Sequence, residues 1–120
     1  MDSYKVNNRV RLDVISRLHK RKIRKVENEI NSTDINDFRI KFDGENTIKV
    51  LKYNKTNEIY HSYFDLVITH AVFSNDLMMV RREKININGE DTIIESCYVI
   101  EKKSFNEENI LKIIVSFIDD

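Results

Sequence analysis

The sequence predicts an α+β fold with a basic N-terminal amphipathic helix, an antiparallel meander of four to five strands and an apolar C-terminal helix. Three observations support this fold: a helical apolar period in the first quarter of the chain, apolar and polar alternation around two glycine turns, and an apolar run near the C-terminus. The 120 residues contain two glycines and no proline, so nothing marks a linker. We expect one domain over 1–120, with the basic helix in 1–30, the sheet in 37–103 and the C-terminal helix in 105–118.

The first helix is predicted from about residue 8 to residue 30. Its apolar positions recur with a 3.6-residue period, and His19 fills the gap between Ile15 and Ile23. Residues 1–25 contain nine Lys or Arg and two Asp, whereas 26–120 contain eleven Lys or Arg and eighteen Asp or Glu. A net charge of zero therefore conceals two oppositely charged regions. The helix cations that we expect to contact a partner are Arg9, Arg17, Lys20, Arg21, Arg24 and Lys25.

A β-hairpin is predicted next. Apolar and polar residues alternate over 38–42, as in a strand with one buried face, and a glycine turn follows. A three-residue loop pairs Phe42 with Ile48 and Ile40 with Val50. The same register brings three cations together on the opposite face, and these are Arg39, Lys41 and Lys49.

The secondary structure of residues 58–73 stays open at this point. Ser62 and Asp65 have the spacing of a helical capping box, whereas Phe64 and Leu66 begin an alternation typical of a buried strand, which we favour slightly. If the segment is helical, the order αβββαββα resembles that of the small dimeric secretion chaperones. That resemblance covers element order alone.

Asn88-Gly89 is a two-residue hairpin turn and fixes a second register. It pairs Ile87 with Glu90 and places Val80 opposite Cys97. The base of this hairpin is apolar on both faces, so we expect it to be covered on two sides, with Cys97 acting as a small buried hydrophobe.

The C-terminal helix is predicted to begin with a capping box formed by Ser104 and Glu107. Its apolar residues surround most of its circumference, which is typical of a deeply buried helix or of half a subunit interface, although an edge strand is an alternative. The residues that we expect at a homodimer interface are Ile110, Ile114, Phe117 and Ile118.

Composition narrows the function classes. The sequence has no glycine-rich phosphate loop, and His61 and His70 are nine residues apart, so they point in opposite directions on a helix or a strand. We therefore expect no cofactor and no metal site. A single cysteine and no long apolar run indicate a cytoplasmic protein without a membrane segment.

The basic helix carries the main functional prediction, because Lys and Arg on one face neutralise phosphates and release counterions. The alternative is a solvated surface helix. We expect a non-catalytic binding or regulatory protein that engages nucleic acid or a nucleic-acid-handling complex, and Arg39, Lys41 and Lys49 are candidates to extend its surface. In style, this short chain rich in Asn, Ile and Lys is similar to accessory proteins of phages and mobile elements, including nuclease inhibitors.

Two alternatives remain. The first is a homodimeric adaptor or chaperone that binds no nucleic acid. The second is a Mg²⁺-dependent nuclease: the hairpin register places Asp76 opposite Glu101, and with Lys103 this arrangement resembles the PD-(D/E)xK nuclease family. The resemblance implies catalytic roles for Asp76, Glu101 and Lys103, but the chain lacks the αβ unit that follows this motif in the family.

Overall fold

The computed structural model describes residues 15–33, 37–71 and 76–119. The class is α+β, as predicted. The elements in chain order are α1 (Arg17–Ser32), β1 (Phe38–Phe42), β2 (Thr47–Asn54), β3 (Ile59–His70), β4 (Leu77–Ile87), β5 (Glu90–Ile100), a 3₁₀ turn (Lys102–Ser104) and α2 (Glu107–Asp119).

The five strands form one antiparallel sheet in the order β1-β2-β3-β4-β5, which is a simple meander. Both predicted registers are confirmed: Phe42 pairs with Ile48 in the first hairpin, and Val80 pairs with Cys97 in the second. The open segment is the strand β3, so the element order of the secretion chaperones is not present. β3 pairs with β4 only as far as Asp65 and Arg82.

The two helices cover one face of the sheet and enclose a single apolar core. α1 buries His19, Ile23, Val26 and Ile30, which recur with the helical period. The sheet contributes alternate residues of each strand to the same core. Phe105, which precedes α2, is fully buried between the helices and the sheet.

Both helix starts differ from the prediction. α1 begins at Arg17, because Ser16 has an extended backbone and its side chain accepts a hydrogen bond from the N–H of His19 at 3.1 Å. Residues 8–14 lie outside the described residues. α2 is capped by Asn106, whose side-chain oxygen accepts from the N–H of Asn109, because Ser104 belongs to the 3₁₀ turn.

The apolar residues of α2 lie in the core of a single copy. Ile110 and Ile114 are fully buried, Ile118 is nearly so, and Phe117 is partly buried against the sheet. Of the two expectations for this helix, burial is therefore what the structure shows. The expected subunit interface at Ile110, Ile114, Phe117 and Ile118 is wrong, because these side chains already have partners within the chain.

The expectation for the base of the second hairpin is also wrong. Leu77 and Met79 face the core, but the opposite face of the hairpin is open, and Val99 there is 58% exposed. Cys97 lies on this open face and is exposed. The apolar pattern of β4 and β5 was symmetric, whereas both helices dock on the same side. Neither α1 nor α2 has the length and the apolar character that a membrane-spanning helix needs.

Candidate nucleic-acid interface

The basic face of α1 is a row of four cations, Arg17, Lys20, Arg21 and Arg24, which we call the cation stripe. Spacings of three, four and seven residues place them on one side of a helix, away from the buried residues. The three arginines are exposed and Lys20 is half-buried. The first acidic residue of α1 is Glu27, so the N-terminal half of the helix has no carboxylate of its own.

Within residues 15–33, 37–71 and 76–119, most of this charge has no acidic partner. Among the residues that the structure describes, Arg17, Lys20 and Arg21 have no acidic partner within ion-pair distance. Arg24 lies 3.9 Å from Glu27, and its guanidinium carbon is 5.2 Å from the centroid of the Phe42 ring. Within the described residues, the cation stripe thus presents three positive charges without an acidic partner and one that a weak, exposed pair partly offsets.

The two remaining helix cations of the prediction differ from the stripe. Lys25 forms an ion pair with Glu107 of α2 at 3.3 Å, so its charge is matched within the chain. Arg9 lies outside the described residues.

The helix beneath the stripe is held at several points. The ammonium group of Lys22 donates a hydrogen bond to the carbonyl oxygen of Phe105 at 2.8 Å. The Phe105 ring packs edge to face against His19, with 4.8 Å between ring centroids. By charge alone Lys22 is one cation among many, but its helical angle beside His19 and Val26 indicates this inward role. These contacts keep the stripe in place before any ligand binds.

His19 adds no charge to the stripe at neutral pH. Burial lowers the pKa of its imidazole, and the positive charges of Lys22 and Lys102, with His70, lower it further. The ring is therefore neutral and serves as a packing group.

Arg39, Lys41 and Lys49 form a separate group. Side chains alternate along β1, so Phe38, Ile40 and Phe42 face the helices while the cations face the other side of the sheet. Lys41 lies opposite Lys49, as predicted, and Lys49 also pairs with Asp65 of β3. The expectation that these cations extend the α1 surface is wrong, because the sheet lies between the two groups.

The nuclease-like residues meet at the ends of β4 and β5. The side chain of Asp76 accepts a hydrogen bond from the backbone N–H of Lys102 at 3.4 Å. Glu101 forms an ion pair with Lys103 at 3.3 Å, and both side chains are strongly exposed. The described residues contain no group of three or more His, Cys, Asp or Glu that could hold a metal ion.

A groove of about 520 Å³ opens where β3 and β4 separate. Its charged residues alternate in sign, with Asp65 and Glu83 beside Arg82 and Lys84. An anion in the groove would be repelled by two carboxylates as well as attracted by two cations. The groove is therefore a weaker candidate than the cation stripe for an anion site.

No protein-family profile, curated protein or solved structure matches this chain.

Proposed function

We propose that this protein is a non-catalytic, cytoplasmic nucleic-acid-binding protein that contacts the phosphate backbone through the cation stripe. The observation that carries the proposal is the alignment of Arg17, Lys20 and Arg21 on one exposed helix face without acidic partners among the described residues. Cations held in this way neutralise phosphates and release counterions, which favours binding regardless of base sequence.

The support beneath the stripe favours the same function. Because Lys22, His19 and Phe105 fix α1 against the core, the stripe loses little backbone freedom on binding. The matched ion pairs elsewhere on the surface, such as Lys112 with Glu108 at 3.1 Å, show no comparable excess of charge. The stripe is thus the strongest candidate for an anionic polymer.

Fluorescence anisotropy with labelled single-stranded and duplex DNA and RNA, over a salt series with Mg²⁺, tests the proposal. We expect the logarithm of the affinity to fall linearly with the logarithm of the salt concentration, by about 0.7 to 0.9 per phosphate contacted. The variant Arg17→Glu/Lys20→Glu/Arg21→Glu should lose binding and reduce that slope by about two to three.

The matched control is Lys55→Glu/Lys103→Glu/Lys112→Glu, which changes the net charge equally at exposed lysines outside α1. It should weaken binding much less, because these lysines are not part of the stripe. Equal loss in both variants, or no binding by the wild type at low salt, overturns the proposal. Cleavage of the probe would contradict the non-catalytic part and direct attention to Asp76, Glu101 and Lys103.

A further inference from the structure

The two edges of the sheet differ in how their backbone groups are satisfied. At β1, the side-chain amide of Asn31 bonds both the N–H and the C=O of Ile40, and the carboxylate of Glu27 accepts from the N–H of Phe42. At the other edge, β5 pairs with β4 alone among the described residues. An uncovered edge strand is a template for pairing with another strand.

From Ile93 to Ile100, β5 carries one charged residue, Glu95, and apolar side chains on both faces. Ile94 and Tyr98, on the helix side, are 44% and 48% exposed, while Ile93 and Val99, on the other side, are 57% and 58% exposed. Edge strands that stay unpaired usually carry charges or proline, whereas strands covered on both faces are apolar on both. The exposed apolar residues of β5 therefore lack the covering that their chemistry indicates.

The hairpin turn determines which backbone groups of β5 point outward. Ile87 and Glu90 flank the two-residue turn and form a hydrogen-bonded pair, so even-numbered residues of β5 point toward β4. The odd-numbered residues direct their N–H and C=O groups to the open edge, and these are Asp91, Ile93, Glu95, Cys97 and Val99.

We propose that a second copy of this chain pairs with this edge, antiparallel and two-fold symmetric, with Ser96 opposite Ser96 of the partner subunit. This register places Ile94 opposite Tyr98 of the partner subunit and Ile93 opposite Val99 of the partner subunit, so apolar residues meet on both faces. Its backbone hydrogen bonds come from the outward groups of the odd-numbered residues.

Apolar pairing selects this register over its neighbours. Centring on Glu95 would place Val99 against Asp91 of the partner subunit, and centring on Cys97 would place Ile93 against Glu101 of the partner subunit. In the proposed register Asp91 lies opposite Glu101 of the partner subunit. Each of these carboxylates already has a lysine, since Lys84 is 3.2 Å from Asp91 and Lys103 is 3.3 Å from Glu101. Together, Asp91, Lys84, Glu101 and Lys103 carry no net charge.

The symmetry axis is perpendicular to the sheet, so the dimer forms one continuous sheet with both α1 helices on the same side. The β5 edge and the cation stripe belong to different elements, so dimerisation does not depend on nucleic-acid binding.

Light scattering and sedimentation of the full chain test the proposal, and the wild type should have twice the mass of the 14.3 kDa chain. Ile93→Lys/Val99→Lys should weaken dimerisation at least about tenfold, because it places charges inside the dimer interface. The control Ile59→Lys/Ile87→Lys changes residues of similar exposure outside the pairing and should leave the dimer intact. A monomeric wild type, or equal effects of both variants, overturns the proposal.

Cysteine cross-linking tests the register. In the Cys97→Ser background, Ser96→Cys places two cysteines directly opposite each other in a non-hydrogen-bonded pair, where the Cα atoms are about 4.5 Å apart. This variant should oxidise readily to a disulfide-linked dimer. In the wild type, Cys97 lies opposite Glu95 of the partner subunit and should not cross-link. Rapid linkage through Cys97, or none through Ser96→Cys, overturns the proposed pairing.

Discussion

The side-chain amide of Asn31 forms two hydrogen bonds with the backbone of Ile40, one to its N–H and one to its C=O, both at 2.9 Å. A residue near the C-terminus of α1 thereby takes the place of a neighbouring strand at the edge of β1. The two bonds join the helix that carries the cation stripe to the sheet.

Asn31→Ala should destabilise the protein by about 1 to 3 kcal/mol, because it leaves the N–H and C=O of Ile40 without a partner at a part-buried site. Urea unfolding measures the change. Asn28→Ala is the control, since Asn28 is exposed on the same helix and should change stability by less than about 0.5 kcal/mol. Equal effects of the two substitutions would contradict the role of Asn31 at the edge.

The sequence predicts those parts of the fold that local signals determine. The alternation around Phe42 and the turn Asn88-Gly89 set both hairpin registers, because side-chain period and loop length fix strand pairing. No local pattern determines the side of the sheet on which the helices dock, so the exposure of Cys97 does not follow from the sequence. The hydrogen bonds of Glu27 and Asn31 to β1 do not follow from it either, because they depend on the packing of α1.

The candidate site also has one part that local sequence signals predict and another that tertiary contacts determine. Helical angles predict that Arg17, Lys20 and Arg21 share a face. Which of the cations are matched depends on tertiary contacts, such as that of Lys25 with Glu107. Spacing alone does not reveal that pair, because the two residues belong to different helices.

Protonation of His19 should destabilise the fold. Its folded pKa lies below the ordinary 6.5, chiefly because burial disfavours the charged imidazole, with Lys22, Lys102 and His70 acting in the same direction. The unfolded chain therefore binds the proton first as the pH falls. The contribution of the neutral ring is complete above a pH of about 6.5 and is lost below it.

Urea unfolding at a series of pH values from neutral to mildly acidic measures this effect, with His19→Leu as the comparison. The variant should lose less stability on acidification than the wild type, because His61 and His70 remain in both. Parallel pH profiles for the two proteins would show that His19 does not contribute.

The two glycines form a matched pair of turn positions. Gly44 and Gly89 have φ angles of +86° and +88°, so alanine should cost about 1 kcal/mol at either position. At Gly44 a Cβ atom would also lie 3.0 Å from a guanidinium nitrogen of Arg24, whereas at Gly89 it would meet nothing within 4 Å. Gly44→Ala should thus displace the Arg24 side chain from the Phe42 ring in addition to lowering stability.

Arginine side-chain NMR signals and urea unfolding distinguish the two parts of this prediction. A shifted Arg24 signal is expected for Gly44→Ala and not for Gly89→Ala, with similar losses of stability. An unchanged Arg24 signal in Gly44→Ala would mean that the side chain does not occupy the space above the turn.

Arg81 contributes to stability through the aromatic rings that it covers. Its side chain is 14% exposed and lies 3.5 Å from Glu83. The guanidinium carbon is 4.3 Å from the centroid of Phe64 and 5.7 Å from that of Phe117, so it joins the sheet to α2. Such a stacked, partly desolvated cation is worth about 0.5 to 2 kcal/mol beyond its packing.

Arg81→Ala should therefore lower the free energy of unfolding by about 1 to 3 kcal/mol. Arg81→Lys should restore only part of this loss, because an ammonium group lacks the planar surface that stacks on a ring.

Arg82→Ala is the control, because Arg82 is the next residue and faces the other side of the sheet. It forms an exposed ion pair with Glu95 at 3.3 Å, which is worth less than about 1 kcal/mol. Urea unfolding in low and high salt completes the test, since screening should reduce the small effect at Arg82 and leave that at Arg81 nearly unchanged. Equal, salt-sensitive losses at the two positions would show that Arg81 acts only as a surface charge.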